Sequence, residues 1–422
     1  MAITPPDLTV FETLESEVRS YCRAWPTVFD RARGSRMTDE DGHSYLDFFV
    51  GAGTLNYGHN NPVLKRALLD YIERDGVTHG LDMSTMAKRA FLQTFQEVVL
   101  GPRDLPYKVM FPGPTGTNAV ESALKLARKI KRRTPVVSFT NAFHGMTLGA
   151  LAVTGNAFKR AGGGIPLVHT TPMPFDRYLD DGAPDFRWFE RMLTDGGSGF
   201  DHPAAVIVET VQGEGGVNVA RPEWLRELAD LCARHDMLLI VDDIQMGCGR
   251  TGGFFSFEAA GIVPDIVTLS KSISGYGLPM ALTLFRRELD VWSPGEHNGT
   301  FRGNNPAFVT ATAALRAYWA DGQLEKQTAA RGEQIEQALA AICAEHPASG
   351  ARHRGRGMVW GLEFADRGRA TEVCRRAFAL GLLTETSGPD SEVVKLMPAL
   401  TIGTEELDEG LRTLASAVRD TA

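Results

Sequence analysis

Short apolar runs alternate with amphipathic stretches through the middle of the chain, the signature of a parallel sheet with crossover helices. Val109-Met110-Phe111 reads as a strand, followed by a Gly-Thr loop and a long amphipathic helix expected from about Asn118 to Arg132. Val136–Phe139 is the next predicted strand, and three more follow at Ala205–Glu209, Leu238–Asp242 and Ile266–Lys271. Each of these three is largely apolar up to a charged last residue. Ligands of open α/β sheets bind beyond the carboxyl ends of the strands, so Glu209, Asp242 and Lys271 should converge on one site.

The flanks read differently. Val10, Leu14 and Val18 lie at helical spacing, and the turn Glu40-Asp41-Gly42 precedes a strand at Ser44–Phe49. From about Asn305 an Ala-rich helical region (Phe308–Ala344) leads to a strand at Met358–Phe364, a helix at Thr371–Leu380 and a strand at Val393–Leu396. Thr404, with Glu405 and Glu406 behind it, is expected to cap the last helix. The pattern predicts an α/β chain in three parts. Residues 61–304 form a large domain with a mostly parallel sheet. Residues 305–422 form a smaller α+β domain, which the segment 1–60 joins. No internal repeat or low-complexity linker interrupts it.

Composition narrows the function classes. At 422 residues, 43% hydrophobic and 23% charged, the chain can bury a large core divided between two subdomains. Its net charge of −8 is spread without a basic block, which disfavours nucleic acid and anionic membranes as partners. The five cysteines (Cys22, Cys232, Cys248, Cys343, Cys374) form no CxxC pair, arguing against a zinc site or a disulfide framework. The N-terminal stretch is acidic with no apolar core, unlike a secretory leader, and no apolar run reaches membrane-spanning length. A cytoplasmic protein is expected.

Gly113-Pro114-Thr115-Gly116-Thr117-Asn118 lies between a strand and a helix. The N–H groups of a helix N-terminus make a phosphate cradle, to which threonine hydroxyls add donors. The competing reading is a turn with an Asn118/Glu121 capping box. The loop lacks a Lys-Ser/Thr ending, so a nucleoside triphosphate is disfavoured. Gly247-Cys248-Gly249-Arg250-Thr251-Gly252 matches GxGxxG, yet no amphipathic helix opens after it, and a glycine-rich turn explains it better. A buried Asp242 needs a partner. A protonated pyridine nitrogen would supply one and make a cofactor ring an electron sink. Phe143 would offer a stacking face to a flat ring, and His144 has no second metal ligand at suitable spacing. Asp180-Asp181 reads as solvated loop. A strand-end lysine such as Lys271 is usually solvated, and only the set of Lys271, Asp242, Glu209 and the Gly-Thr loop makes it chemical.

In this order the pieces resemble the class III (ω-) aminotransferases of pyridoxal 5′-phosphate (PLP) fold type I, along nearly the whole chain. The most specific stretches are Glu209-Thr210-Val211-Gln212-Gly213-Glu214-Gly215-Gly216, Asp242-Asp243-Ile244-Gln245 and Ser270-Lys271. The resemblance implies that Lys271 binds PLP covalently and that Gly116 and Thr117 hold its phosphate. Phe143 and Ile244 would flank the ring, Asp242 would pair with its nitrogen, and Gln245 would contact its hydroxyl. Thr300 would reach the phosphate of a neighbouring subunit, which implies a homodimer with composite sites. Potassium also comes with the resemblance, and no sequence feature places that ion.

Within the family the chain is most similar to the diaminobutyrate-forming members of ectoine synthesis. Phe11–Tyr21, Gly51–Pro62 and Phe301-Arg302-Gly303-Asn304-Asn305-Pro306 carry that likeness. It implies amino transfer from L-glutamate to L-aspartate 4-semialdehyde, giving L-2,4-diaminobutyrate and 2-oxoglutarate. Glu209, Glu214, Lys395 and Arg302 would then face the substrate. One departure stands out. Many members clamp a substrate carboxylate with an arginine where this chain has Lys395, and lysine offers a point charge in place of a planar fork. Carboxylate recognition then falls to Lys395 or to another residue such as Arg302, and Glu214 would be the partner of Lys395. An aminomutase on the same fold, or an ornithine or 4-aminobutyrate transaminase, are the alternatives. One methylene separates such substrates by only about 1–3 kcal/mol.

Overall fold

The computed structural model describes residues 7–179, 182 and 185–421, and the acidic pair Asp180-Asp181 lies outside them. Its central sheet has seven strands. In spatial order they are Tyr107–Met110, Leu282–Arg286, Ile266–Leu269, Leu238–Asp242, Ala205–Val208, Val136–Phe139 and Thr170–Met173. Leu282–Arg286 runs antiparallel to both of its neighbours, and the remaining pairs are parallel. Every residue of the four strands Val136–Phe139, Ala205–Val208, Leu238–Asp242 and Ile266–Leu269 is buried. Continuous apolar strands of this kind belong to a sheet covered on both faces. Helix Gly116–Lys131 packs Val120, Ala123 and Leu124 into one core cluster with Ile207, Ile240 and Ile266. Helix Pro222–Arg234 adds Trp224, Leu228 and Leu231 to another that includes Val206, Val241 and Val267.

Two further sheets have four strands each. Arg352–Arg356, Val359–Glu363, Val393–Leu396 and Glu385–Ser387 pair antiparallel in that order. Phe29–Arg33, Arg36–Asp39 and Ser44–Asp47 form a meander whose last strand pairs in parallel with Leu382–Leu383. The N-terminal stretch is thus hydrogen-bonded to the C-terminal part of the chain.

Several boundaries differ from the sequence reading. The strands expected to end on Glu209 and Lys271 stop at Val208 and Leu269, leaving both charged residues just past the sheet edge. The Ala-rich region is two helices, Asn305–Tyr318 and Gln323–Glu345, separated by a break in which Gly322 takes a φ of +68°. Gly403, not Thr404, caps the last helix, and Thr404 is its first residue. At helix Gly116–Lys131 the Asn118 side chain accepts from the N–H and hydroxyl of Thr115, while Glu121 turns away to Thr147 and the Ala150 N–H. Near the N-terminus, among the described residues, the helices are the short Thr9–Leu14 and Tyr21–Ala24, and Val10, Leu14 and Val18 are 53%, 82% and 87% exposed. Among the described residues their helical spacing finds no core.

Candidate active site

A cavity of about 320 Å³ opens at the carboxyl ends of the parallel strands. The strand ends supply Glu209, Asp242 and Lys271 to its wall, and the start of helix Gly116–Lys131 supplies Gly116 and Thr117. Phe143, Glu214, Ile244 and Gln245 also line it. The strand register explains the convergence: Asp242 stands opposite Thr268, and Val241 opposite Val208.

Asp242 is 4% exposed, so its charge must be compensated inside the protein. Its Oδ1 accepts from the Thr268 hydroxyl at 3.0 Å and the Ile244 N–H at 3.2 Å, and its Oδ2 lies 2.7 Å from His144 Nδ1. Burial opposes a charge on His144, yet the bond to Asp242 and its charge outweigh this and raise the imidazole pKa. Beside it, Glu209 accepts from the Phe143 N–H at 3.0 Å, and burial pushes its carboxyl up to about 8. Lys271 takes a φ of +51°, and its Nζ donates to the Ala52 carbonyl at 2.9 Å. Burial draws its pKa below the usual lysine range, against the pull of Glu214.

Lys395 is fully buried and does not line the cavity. Its Nζ sits 2.7 Å from Glu214 and 3.0 Å from Glu385, its direct partner across the antiparallel strand register. Burial alone would lower its pKa, but the two glutamates hold it above the normal value. Burial pushes Glu385 up to about 7, whereas Lys395 and Lys271 overcome burial to hold Glu214 well below the carboxylate range. Gln245 Nε2 donates to both the Ala52 carbonyl and Glu214 Oε1, each at 3.0 Å.

Thr300 and Arg302 are not brought to this chain's cavity. Thr300 is exposed, and Arg302 donates to the Asn298 side chain at 3.3 Å. His144, Ala52 and Glu385 are among the residues of the site that the sequence reading misses. The sequence offers His144 only as a metal-ligand candidate, and Ala52 acts through its main chain. Glu385 could have been found by pairing the two strands around the Gly388-Pro389-Asp390 turn, which sets it opposite Lys395. The GxGxxG stretch is a turn, with Cys248, Gly249 and Gly252 at positive φ, and it buries Arg250 completely.

The aminotransferase class-III family pattern matches residues 20–418. The chain is a class-III aminotransferase. This aminotransferase is 80% identical to the diaminobutyrate–2-oxoglutarate transaminase of Streptomyces anulatus over 422 residues, the whole of both chains. It is 78% identical over 423 residues, again the whole of both chains, to the enzyme of that name from Streptomyces avermitilis. Among solved structures it resembles an ornithine aminotransferase of Toxoplasma gondii with a TM-score of 0.85 and 27% identity, covering 98% of this chain and 93% of the other. That structure is described as having partial PLP occupancy at its active site.

PLP is the cofactor of the family, and the cavity's chemistry fits it. A carboxylate with nearly complete burial can pair with a ring cation, and a lysine with lowered pKa can react with an aldehyde. The first turn of helix Gly116–Lys131 lines the wall with N–H groups that have no intrahelical acceptor, which suits a phosphate. A Cβ on Gly116 would stand 3.0 Å from Ile244 Cδ1, so a side chain there would press Ile244 aside.

Proposed function

We propose that this aminotransferase moves an amino group from L-glutamate to L-aspartate 4-semialdehyde, giving L-2,4-diaminobutyrate and 2-oxoglutarate. The observation that carries the substrate assignment is the 80% identity, end to end, with a transaminase of that name. When bound, PLP supplies an electron sink that allows an amine to be exchanged for a carbonyl. In this reading Lys271 holds the cofactor and, once released, its Nζ moves the proton at the substrate carbon. The lowered pKa of Lys271 supports that role, since a base must be neutral to accept a proton. Asp242, fixed by His144 and Thr268, keeps the proton on the ring nitrogen. Gly116 and Thr117 take the phosphate, Phe143 and Ile244 flank the ring, and Gln245 meets its hydroxyl. Glu209 and Glu214 face the substrate.

Lys395 acts through Glu214 rather than as an open clamp, because two carboxylates already occupy its Nζ. Thr300, exposed on a loop beside the exposed Phe301, serves the cavity of a second copy in a homodimer. The exposed apolar residues Val10, Leu14, Val18 and Met86 support such a partner. Five unpaired cysteines, and no helix among the described residues long and apolar enough to cross a membrane, support a cytoplasmic setting.

The test is a panel of amino donors offered with aspartate semialdehyde and with 2-oxoglutarate, the amine position in the product read by mass spectrometry. Glutamate-dependent formation of 2,4-diaminobutyrate is expected. Turnover of one substrate with no oxoacid acceptor would identify an aminomutase. Preference for ornithine or 4-aminobutyrate would reassign the substrate and leave the transaminase chemistry standing.

A further inference from the structure

Lys271 Nζ is held by a main-chain group that lies 219 residues away in sequence, the Ala52 carbonyl. The segment that presents it has an unusual backbone. Val50, Gly51, Ala52 and Gly53 have φ values of +44°, +61°, +55° and +84°, four left-handed residues in succession. Glycine enters this region freely, but alanine does so at a steric cost, and a β-branched valine there is an outlier.

The surroundings enforce the turn from both sides. Asp47 Oδ1 accepts from the N–H groups of Phe49 at 2.7 Å and Val50 at 2.8 Å, while its Oδ2 lies 2.7 Å from His59 Nε2. The Val50 side chain is fully buried. On the cavity side, Gln245 Nε2 donates to the same Ala52 carbonyl. Lys271 is itself left-handed, so both ends of the Lys271–Ala52 bond rest on constrained backbone. Strain that is over-determined in this way clusters where a fold must aim a group.

We propose that the Ala52 carbonyl, turned inward by the left-handed segment Val50–Gly53, positions the Lys271 amine for proton transfer. The proposal rests on the reading of Lys271 as the base. A released lysine amine swings on a flexible four-carbon stem. Donating one N–H to a fixed carbonyl removes that freedom and leaves the lone pair pointing away from the turn. The identity of the acceptor matters as well. A carboxylate in this place would stabilise the ammonium and keep its proton, whereas a neutral carbonyl orients the amine with a smaller charge effect.

Gly53→Val tests this, with Gly53→Ala as the milder step. A Cβ at Gly53 would stand 3.5 Å from Gln245 Cγ and 3.8 Å from Met397 Sδ, ordinary contact distances, so space permits the alanine. The substitution acts on φ, which sets the plane of the Ala52–Gly53 peptide. Rapid mixing of each holoenzyme with glutamate, protiated or 2-deuterated, gives the maximal half-reaction rate, the apparent Kd and the isotope effect. In Gly53→Val the rate should fall by about tenfold or more with Kd held within about twofold, and the isotope effect should rise. Gly53→Ala should shift all three in the same direction by less.

A second readout does not depend on turnover. In enzyme loaded with pyridoxamine phosphate Lys271 is free, and competitive acetylation across pH followed by mass spectrometry titrates its amine. Loss of the acceptor should move that titration down by about half a pH unit in Gly53→Val. An unchanged titration with unchanged rate and isotope effect overturns the proposal. So does a raised Kd at constant rate, which would make the turn a substrate seat. If Gly53→Val yields no folded holoenzyme, Gly53→Ala carries the same measurements. A wild-type enzyme inert towards glutamate would refute the functional reading, and the titration would still decide this one.

Discussion

Replacing Lys395 with methionine should cost more stability than an ordinary core substitution, and should cost more at alkaline pH. Methionine roughly matches the buried volume, so the cavity contribution is small. The electrostatic one is not. Lys395 Nζ bridges Glu214 at 2.7 Å and Glu385 at 3.0 Å. Removing one partner of a buried ion pair costs about 3–5 kcal/mol, and here two carboxylates are left facing one another, which points to the upper part of that range. The structure can relieve this only by protonating one of them. Glu385 is the candidate, since burial already pushes it up to about 7. A carboxyl whose folded pKa exceeds its unfolded value binds more protons when folded, so stability falls as pH rises between the two values. In the wild type that fall ends near pH 7. Without the lysine the folded value moves higher, and the fall continues further into the alkaline range. Urea unfolding of cofactor-saturated enzyme at about pH 6 and about pH 8.5 should therefore show the larger loss at the higher pH. Adding Glu385→Gln to Lys395→Met should restore about half of it. Equal stability of Lys395→Met and wild type at both pH values, or a loss that ignores pH, would refute the reasoning.

Three other substitutions probe the cavity directly. Lys271→Ala should abolish turnover and remove the visible absorbance of bound cofactor, and full activity in that variant would contradict its role. Gly116→Ala places a methyl 3.0 Å from Ile244 Cδ1, and fluorescence titration should show PLP binding weakened by about tenfold. Glu209 has its folded carboxyl pushed up to about 8, so its contribution to stability declines from the ordinary glutamate range up to about that pH. Glu209→Gln should flatten the dependence of the unfolding midpoint on pH across that window, and an unchanged slope would count against the assignment.

Much of the cavity could be read from strand ends. Glu209, Asp242 and Lys271 follow apolar runs whose only consistent burial is a covered parallel sheet, and that topology leaves their ends together. Contacts set by long-range geometry could not be read this way. Val50-Gly51-Ala52-Gly53 carries no side chain that announces chemistry, and its contribution is a carbonyl direction fixed by φ angles. Lys395 was legible as a departure from the family's pattern, but its closure by Glu385 needed the hairpin register. The helix boundaries were misplaced where local competition decides the outcome. Thr404 looks like a cap but is already helical, and Asn118 bonds back to Thr115 instead of joining Glu121. Val10, Leu14 and Val18 show the opposite limit, a periodicity left without a core among the described residues.

Arg250 has a consequence for how the protein is made. Its guanidinium bonds at once to the Asn56 side chain and to the main-chain carbonyls of Met358 and Pro398, with no exposure to solvent. These bonds close loops of 194, 108 and 148 residues. Loops of that length close late, after local elements have formed. During synthesis from the N-terminus, Asn56 and Arg250 leave the ribosome long before Pro398. Until Pro398 arrives, the arginine lacks one acceptor and cannot be buried at its final cost. This junction therefore closes only once Pro398 has emerged, and a chain stalled before that point lacks the pin that ties Asn56 and Arg250 to the Pro398 carbonyl.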